Sequence, residues 1–285
     1  MARQASLNIQ DYLNEEVNDN LQEILSGVIE NIQTGAVSEA LKSKEGSGDP
    51  TSGSVEYKRF ANATLEDKGT ARAAGAGSKV KAKPVTVNID DDKEIIEELQ
   101  LKDVKLYGID GMAEKRKGNF AKRVIAYLDR KFFATAVDAG TKFTRGSLTA
   151  EKDILDAMIV EAKSTQSDFI DGIDAEDLAI VLSPAWRKAV KNELDELPNG
   201  TTPSNGAIGM YDSIVVYESH RLPEGVNAIV MLKGAVAQPY YLSEYGAEKV
   251  PFDDAIALET FLYNGSKALV DEAILYDAGE VKPSV

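Results

Sequence analysis

The run Gly75-Ala76-Gly77-Ser78-Lys79 gathers the residue types of a phosphate-cradling loop. The GxxxxGK[ST] spacing is absent and no strand-to-helix context follows, so a flexible hairpin tip is the better reading. Asp168, Asp171, Asp174 and Asp177 recur every third residue, with Glu176 among them. Such a series could collect a hard cation such as calcium. EF-hand spacing is not met, and a solvated acidic loop is the ordinary outcome for a run of like charge. His220 is the single histidine, in the context SHRLP. A lone imidazole with no evident carboxylate partner is more often structural or exposed, and Ser219 beside it is not a nucleophile elbow. No carboxylate pair stands out among the 47 acidic residues. The expectation is a protein that is not an enzyme, with no catalytic residues, no cofactor and no metal.

Composition points the same way. With no cysteine and one histidine, disulfides, thiolate metal sites and most Ser-His or Cys-His machinery are close to excluded. The 285 residues suit one large domain or two modest ones, and 43% hydrophobic content provides for an ordinary core. The N-terminus lacks a signal-peptide core and no apolar run approaches a membrane span, so a soluble chain made in the cytoplasm is expected. The net charge of −15 makes the whole a poor general ligand for nucleic acid. That charge comes in signed blocks: +4 over residues 55–83, −5 over 90–110, +5 over 113–131 and −7 over 151–177. These blocks are either solvated faces or complementary surfaces on neighbouring copies.

The stretch that must position everything else is residues 112–138. It reads as one helix, about 40 Å long at 1.5 Å per residue. Phe120, Val124, Leu128 and Phe132 repeat every fourth position, and Ile125, Phe133, Ala136 and Val137 widen the stripe. Gly140 stands where a left-handed cap would end it. The other face is basic, with Lys115, Arg116, Lys117, Lys122, Arg123, Arg130 and Lys131 against Glu114 and Asp129.

Before this spine, residues 1–47 carry an amphipathic helical pattern through Ile9, Tyr12, Leu13, Val17, Leu21, Ile24, Leu25, Val28, Ile29 and Ile32, ending near Gly35. Its apolar face docks either on its own core or on another subunit. Residues 44–54 are linker-like. Residues 55–60 and 79–89 read as the arms of a long hairpin, with Pro84 confining its strand to an edge. So small a hairpin needs a surface to lie on. The acidic segment 90–110 is expected to hold a short helix around residues 95–101. After the spine come a helix over 149–163, a strand at 178–182, and a helix capped by Ser183-Pro184 and carrying Trp186, Val190 and Leu194. An exposed loop over 197–209 follows, then strands at 213–217 and 228–232. The alternating strand 255–263 leads to an Asn264-Gly265 turn and last strand material over 267–276.

Residues 206–234, GAIGMYDSIVVYESHRLPEGVNAIVMLKG, resemble the late segment of tailed-bacteriophage major capsid proteins, whose fold is shared with herpesvirus floor domains and encapsulins. Gly209-Met210, Val215-Val216, Ser219, Leu222-Pro223 and Gly234-Ala235-Val236 carry the likeness. The order of elements along most of the chain fits as well. The resemblance implies an α+β capsid fold: an N-terminal arm (1–48), an extended two-stranded loop (49–90), a peripheral domain (91–145 and 251–266) with the spine helix, and an axial domain (146–250 and 267–285). It implies self-assembly into pentamers and hexamers of an icosahedral head. That head encloses double-stranded DNA without specific binding. The partners implied are further copies, a portal and, given the short segment before the linker, a separate scaffolding protein, with no membrane involved. The location implied is the virion, after synthesis in the host bacterial cytoplasm. Tyr57, Lys58, Arg59, Phe60, Lys79, Lys81, Lys83, Arg116, Arg123 and Arg130 are the expected inter-subunit contacts. The alternatives are an encapsulin-type compartment shell or another virion structural protein.

Overall fold

The computed structural model describes residues 13, 15–63, 80–194, 205–251, 253 and 255–279. The chain opens with helices α1 (Glu15–Gly35) and α2 (Val37–Leu41). Strands β1 (Ser54–Phe60) and β2 (Ala82–Asn88) form an antiparallel hairpin in register from Ser54↔Asn88 to Phe60↔Ala82. Then come β3 (Asp91–Gln100), α3 (Leu101–Tyr107) and the spine α4 (Ile109–Ala139), which is 31 residues or about 46 Å long.

The remainder supplies two sheets. Strands β4 (Thr141–Lys142), β7 (Leu178–Leu182), β8 (Ala207–Tyr211), β9 (Ile214–Glu218), β10 (Val226–Leu232) and β16 (Ile274–Ala278) make a six-stranded mixed sheet, ordered β4-β16-β10-β7-β9-β8. The second sheet centres on β14 (Ala255–Asn264). β12 (Tyr240–Leu242) and β13 (Gly246–Lys249) pair with parts of it, and β3 pairs with all ten residues. Two small pairs complete the set, β5 (Gln166–Ser167) with β6 (Ile170–Asp171) and β11 (Val236–Ala237) with β15 (Lys267–Ala268). Helix α5 (Glu151–Lys163) buries Ile154, Leu155, Met158, Ile159 and Ala162 and contacts β10 and β16 of the large sheet. Helix α6 (Pro184–Val190) starts on Ser183, whose hydroxyl accepts from the Trp186 N–H.

The four-residue repeat of the spine is its buried face: Phe120, Val124, Leu128 and Phe132 are all nearly inaccessible. The helix serves two cores in succession. Phe120, Ala121, Val124, Ile125 and Leu128 pack with α1 and the β14 sheet, whereas Phe132, Phe133 and Ala136 belong to the core of the large sheet. Helix α1 docks on its own chain, sinking Leu21, Ile24, Leu25, Val28 and Ile32 against the spine, which settles where the arm buries its apolar face. Ile9 and Tyr12 lie outside the described residues. The end of α1 is capped from far along the sequence. The Asn205 side-chain amide donates to the carbonyls of Gln33 (2.9 Å) and Ala36 (2.6 Å), and its backbone N–H donates to Thr34.

Four expectations are corrected. Residues 95–100 are strand, not helix. Ile95 and Leu99 are four apart and suit a helix equally well, but β14 offers an antiparallel edge that pairs with β3 along all ten residues. The helix follows at Leu101–Tyr107. Residues 207–209, read as the end of a loop, begin β8. Leu194 lies beyond α6, after a single 3₁₀ turn. Gly140 ends the spine in an extended conformation (φ −75°, ψ 170°) rather than a left-handed one. A glycine is needed there for room: a Cβ would lie 2.7 Å from the Ala136 carbonyl oxygen, 2.7 Å from Ile274 Cγ2 and 3.0 Å from the Ile274 carbonyl oxygen. Gly140→Ala should therefore lower stability by about 1–3 kcal/mol through overpacking. Urea denaturation of the unassembled chain reads this as a lower midpoint, and an unchanged midpoint would contradict it.

Candidate assembly surfaces

The residues with chemical potential are dispersed. Gly75 to Lys79 lie outside the described residues. Asp168, Asp171, Asp174, Glu176 and Asp177 are all exposed, and among the described residues no group of three His, Asp or Glu side chains converges as a cation site. That loop works through its backbone instead: the Asp168 carbonyl accepts from Asn62 N–H at the hairpin, and the Asp177 carbonyl from Lys233 N–H. His220 is exposed, and the Ser219 hydroxyl accepts from the Arg221 N–H.

The expected contact residues divide by what holds them. On β1, alternation turns Val55 and Tyr57 inward, so Tyr57 is core rather than surface. Its ring packs beside Gly46, where a Cβ would lie 2.9 Å from it. Arg59 is likewise engaged within the chain. Its guanidinium donates to the Leu269 carbonyl (3.1 Å) and to Glu272 (2.9 Å), and lies over the Phe169 ring at 4.8 Å. It fastens the outer end of the described hairpin to the body, and Lys267 adds a bond to the Thr86 carbonyl nearer its base. Lys58, Phe60, Lys81 and Lys83 are exposed, Phe60 at 59%. Lys79 lies outside the described residues. Beside β1 runs a cleft of about 670 Å³ bordered by Lys42, Lys44, Lys58, Arg59, Lys233, Phe60 and Phe169.

On the spine, Arg116 pairs with Glu97 and Lys131 with Asp91 (3.0 Å). Here the +5 block meets the −5 block inside one chain, because β3 runs beside the helix. Asp91 gathers Lys93, Lys131 and the Tyr127 hydroxyl. Partial burial pushes its pKa up, but those hydrogen bonds and the Lys131 charge outweigh it and hold the carboxyl at about 2. Glu272 also sits at about 2: burial pushes it up, but the hydrogen bond from Arg59, foremost among its partners, holds it down. Arg123 and Arg130 are exposed.

Sequence reasoning missed the polar joints of the interior. Asp129, assigned to the outer face, is fully buried. It accepts from Ser38 N–H (2.9 Å) and from Arg221 (2.5 Å). The signal was present, since Asp129 falls four residues after Ile125 and four before Phe133, on the buried stripe. Asp277 is also fully buried. Arg145 grips it with two bonds of 2.6 Å and Asn227 with one of 2.9 Å. No spacing in the sequence links these partners.

Arg221→Ala should cost about 3–5 kcal/mol by stranding the Asp129 charge in the interior. Chemical denaturation measures this, and a loss below about 1 kcal/mol, the range of an exposed ion pair, would show that the pair is solvated. The pH dependence has a definite sign. Asp91 and Glu272 have folded pKa values below their ordinary ones, so their stabilisation is full above about pH 4.5 and is lost as pH falls toward 2. The double variant Asp91→Asn/Glu272→Gln should flatten acid unfolding in that window. An identical acid-unfolding curve would refute the assignment.

No family model matches the chain, and no curated protein matches it. Solved structures do. The capsid of Ralstonia phage GP4 superposes with a TM-score of 0.58 at 13% identity, over 85% of this chain and 88% of that one. The capsid of cyanophage P-SCSP1u gives 0.56 at 15%, over 86% and 88%. A virus-like particle from Pyrococcus furiosus gives 0.52 at 12%, over 90% and 97%. At such identities the likeness is one of architecture: this chain has the phage major capsid protein fold, with mixed helix and sheet built around a long spine.

Proposed function

We propose that the protein is the major capsid protein of a tailed bacteriophage, a structural and non-enzymatic shell subunit. Copies close into pentamers and hexamers of an icosahedral head around double-stranded DNA, as part of the virion made in the host bacterial cytoplasm. The observation that carries the reading is the fold likeness to capsid structures across most of the chain, at 85% for GP4. The hairpin supports it. Phe60 (59%) and Val80 (78%) are exposed at the outer end of the described hairpin, where a neighbouring subunit would cover them. On this reading Lys58, Phe60, Lys81 and Lys83 contact the next subunit. The arm 1–48, the two-stranded loop 49–90, and the peripheral and axial regions drawn from the sequence are the working division of the subunit. A portal and a separate scaffolding protein are the further partners proposed.

The second reading is an encapsulin-type compartment, a shell of the same fold that would enclose protein cargo; a virus-like particle from Pyrococcus furiosus shares the architecture. Electron microscopy and size-exclusion chromatography of the purified chain separate the readings. Closed shells or capsomer rings are expected, with nuclease-protected DNA inside particles made during infection. Shells holding a protein cargo would favour the compartment. A monodisperse monomer under every condition, alone or with neighbouring gene products, would overturn both.

A further inference from the structure

The cations of the spine fall into two classes. Arg116, Lys117 and Lys131 each pair with a carboxylate of the same chain. Lys122, Arg123 and Arg130 are exposed and have no ion pair among the described residues. With Lys115, which lies over the Tyr107 ring at 3.2 Å, they recur at helical spacing. At 3.6 residues per turn they fall on one face about 22 Å long. The positions between them on that face are exposed Asn119 and half-buried Ala126, and no carboxylate interrupts them. The stripe faces away from α1: Val124 and Leu128, which pack with α1, lie on the opposite side of the helix. The acidic strand β3 lies to one side, where it is spent on Arg116 and Lys131.

A chain of net charge −15 that leaves a line of four cations unneutralised has a surface suited to a polyanion. Composition tells which kind. A protein interface has an apolar centre; among the described residues the exposed large apolar side chains are Phe60, Val80, Ile96, Leu106, Tyr107 and Val160, none on the spine itself and only Tyr107, under Lys115, at the end of the stripe. A phosphate backbone needs cations and polar donors alone, and duplex DNA carries one charge per about 1.7 Å of its axis. The acidic surplus elsewhere does not cancel the stripe, since charges more than about 8–10 Å away are screened at ordinary ionic strength. We infer that this stripe is a sequence-independent contact line for the phosphate backbone of duplex DNA. The inference deepens the capsid reading and rests on it for its biological setting. The binding itself is testable without shells.

The test uses the full chain with a fluorescent duplex of about 30 base pairs and mixed sequence, titrated between about 25 and 200 mM salt. Each phosphate contact contributes a slope of about −0.9 in log affinity against log salt, so four cations predict about −3.6. Lys122→Gln/Arg123→Gln/Arg130→Gln should weaken binding at least tenfold at low salt and bring the slope near −0.9. The control Lys142→Gln/Lys188→Gln/Lys191→Gln removes equal charge from exposed positions off the stripe and should leave the slope unchanged. Shell formation by each variant is scored separately from DNA binding. Absence of binding by the parent chain, or equal binding by the stripe and control variants, overturns the inference. Loss of shell formation by the stripe variant with unchanged DNA binding overturns it too, and assigns the stripe to contact between copies. If the parent forms no shells but shows the predicted slope, the capsid reading fails while the contact line stands.

Discussion

A buried carboxylate sets the terms on which the spine helix can exist. Asp129 lies one residue after Leu128, the last spine side chain of the first hydrophobic core, and three before Phe132, the first of the second. A charge there is tolerable only with partners of its own. Ser38 at the start of α2 supplies a backbone N–H, and Arg221 in the turn after β9 supplies a cation. Gln238 adds a bond to the Leu128 carbonyl one residue away. Arm, spine and large sheet therefore meet at one polar joint, and none can shift without exposing or stranding that charge.

This joint explains why one long helix can carry two cores. Apolar burial alone is indifferent to register, because one leucine or phenylalanine replaces another at modest cost. A buried ion pair is not indifferent, since it must be completed by particular atoms. The same device recurs at the far edge of the large sheet, where Asp277 is closed by Arg145 and Asn227. The hairpin repeats it in partly buried form through Arg59 and Glu272. The three joints fix the elements that a shell subunit would have to hold rigid, while the outer hairpin keeps apolar side chains uncovered.

The electrostatics sort into internal and external work. The acidic β3 and the basic flank of α4 neutralise each other, so part of the alternating charge pattern is structural. Among the described charges left outside are the stripe around Lys122, Arg123 and Arg130 and the exposed lysines of the hairpin.

The sequence by itself determined the elements whose signals are local. The spine, arm helix, hairpin, β7 and β14 were legible because periods of 3.6 and 2 are written in apolar residues, and Ser183-Pro184 marked a helix start through its own hydroxyl. The order of those elements together with residues 206–234 was enough to suggest the fold. Tertiary structure alone decided the rest. β3 is a strand because β14 offers a ten-residue edge, a partner more than 150 positions away. Gly140 is required by the closeness of Ile274 rather than by its own dihedral angles. Asp129 is interior because Arg221 and Ser38 reach it, and Asn205 caps α1 from across the fold. In each case the deciding energy comes from a partner distant in sequence, so no window of neighbouring residues contains it.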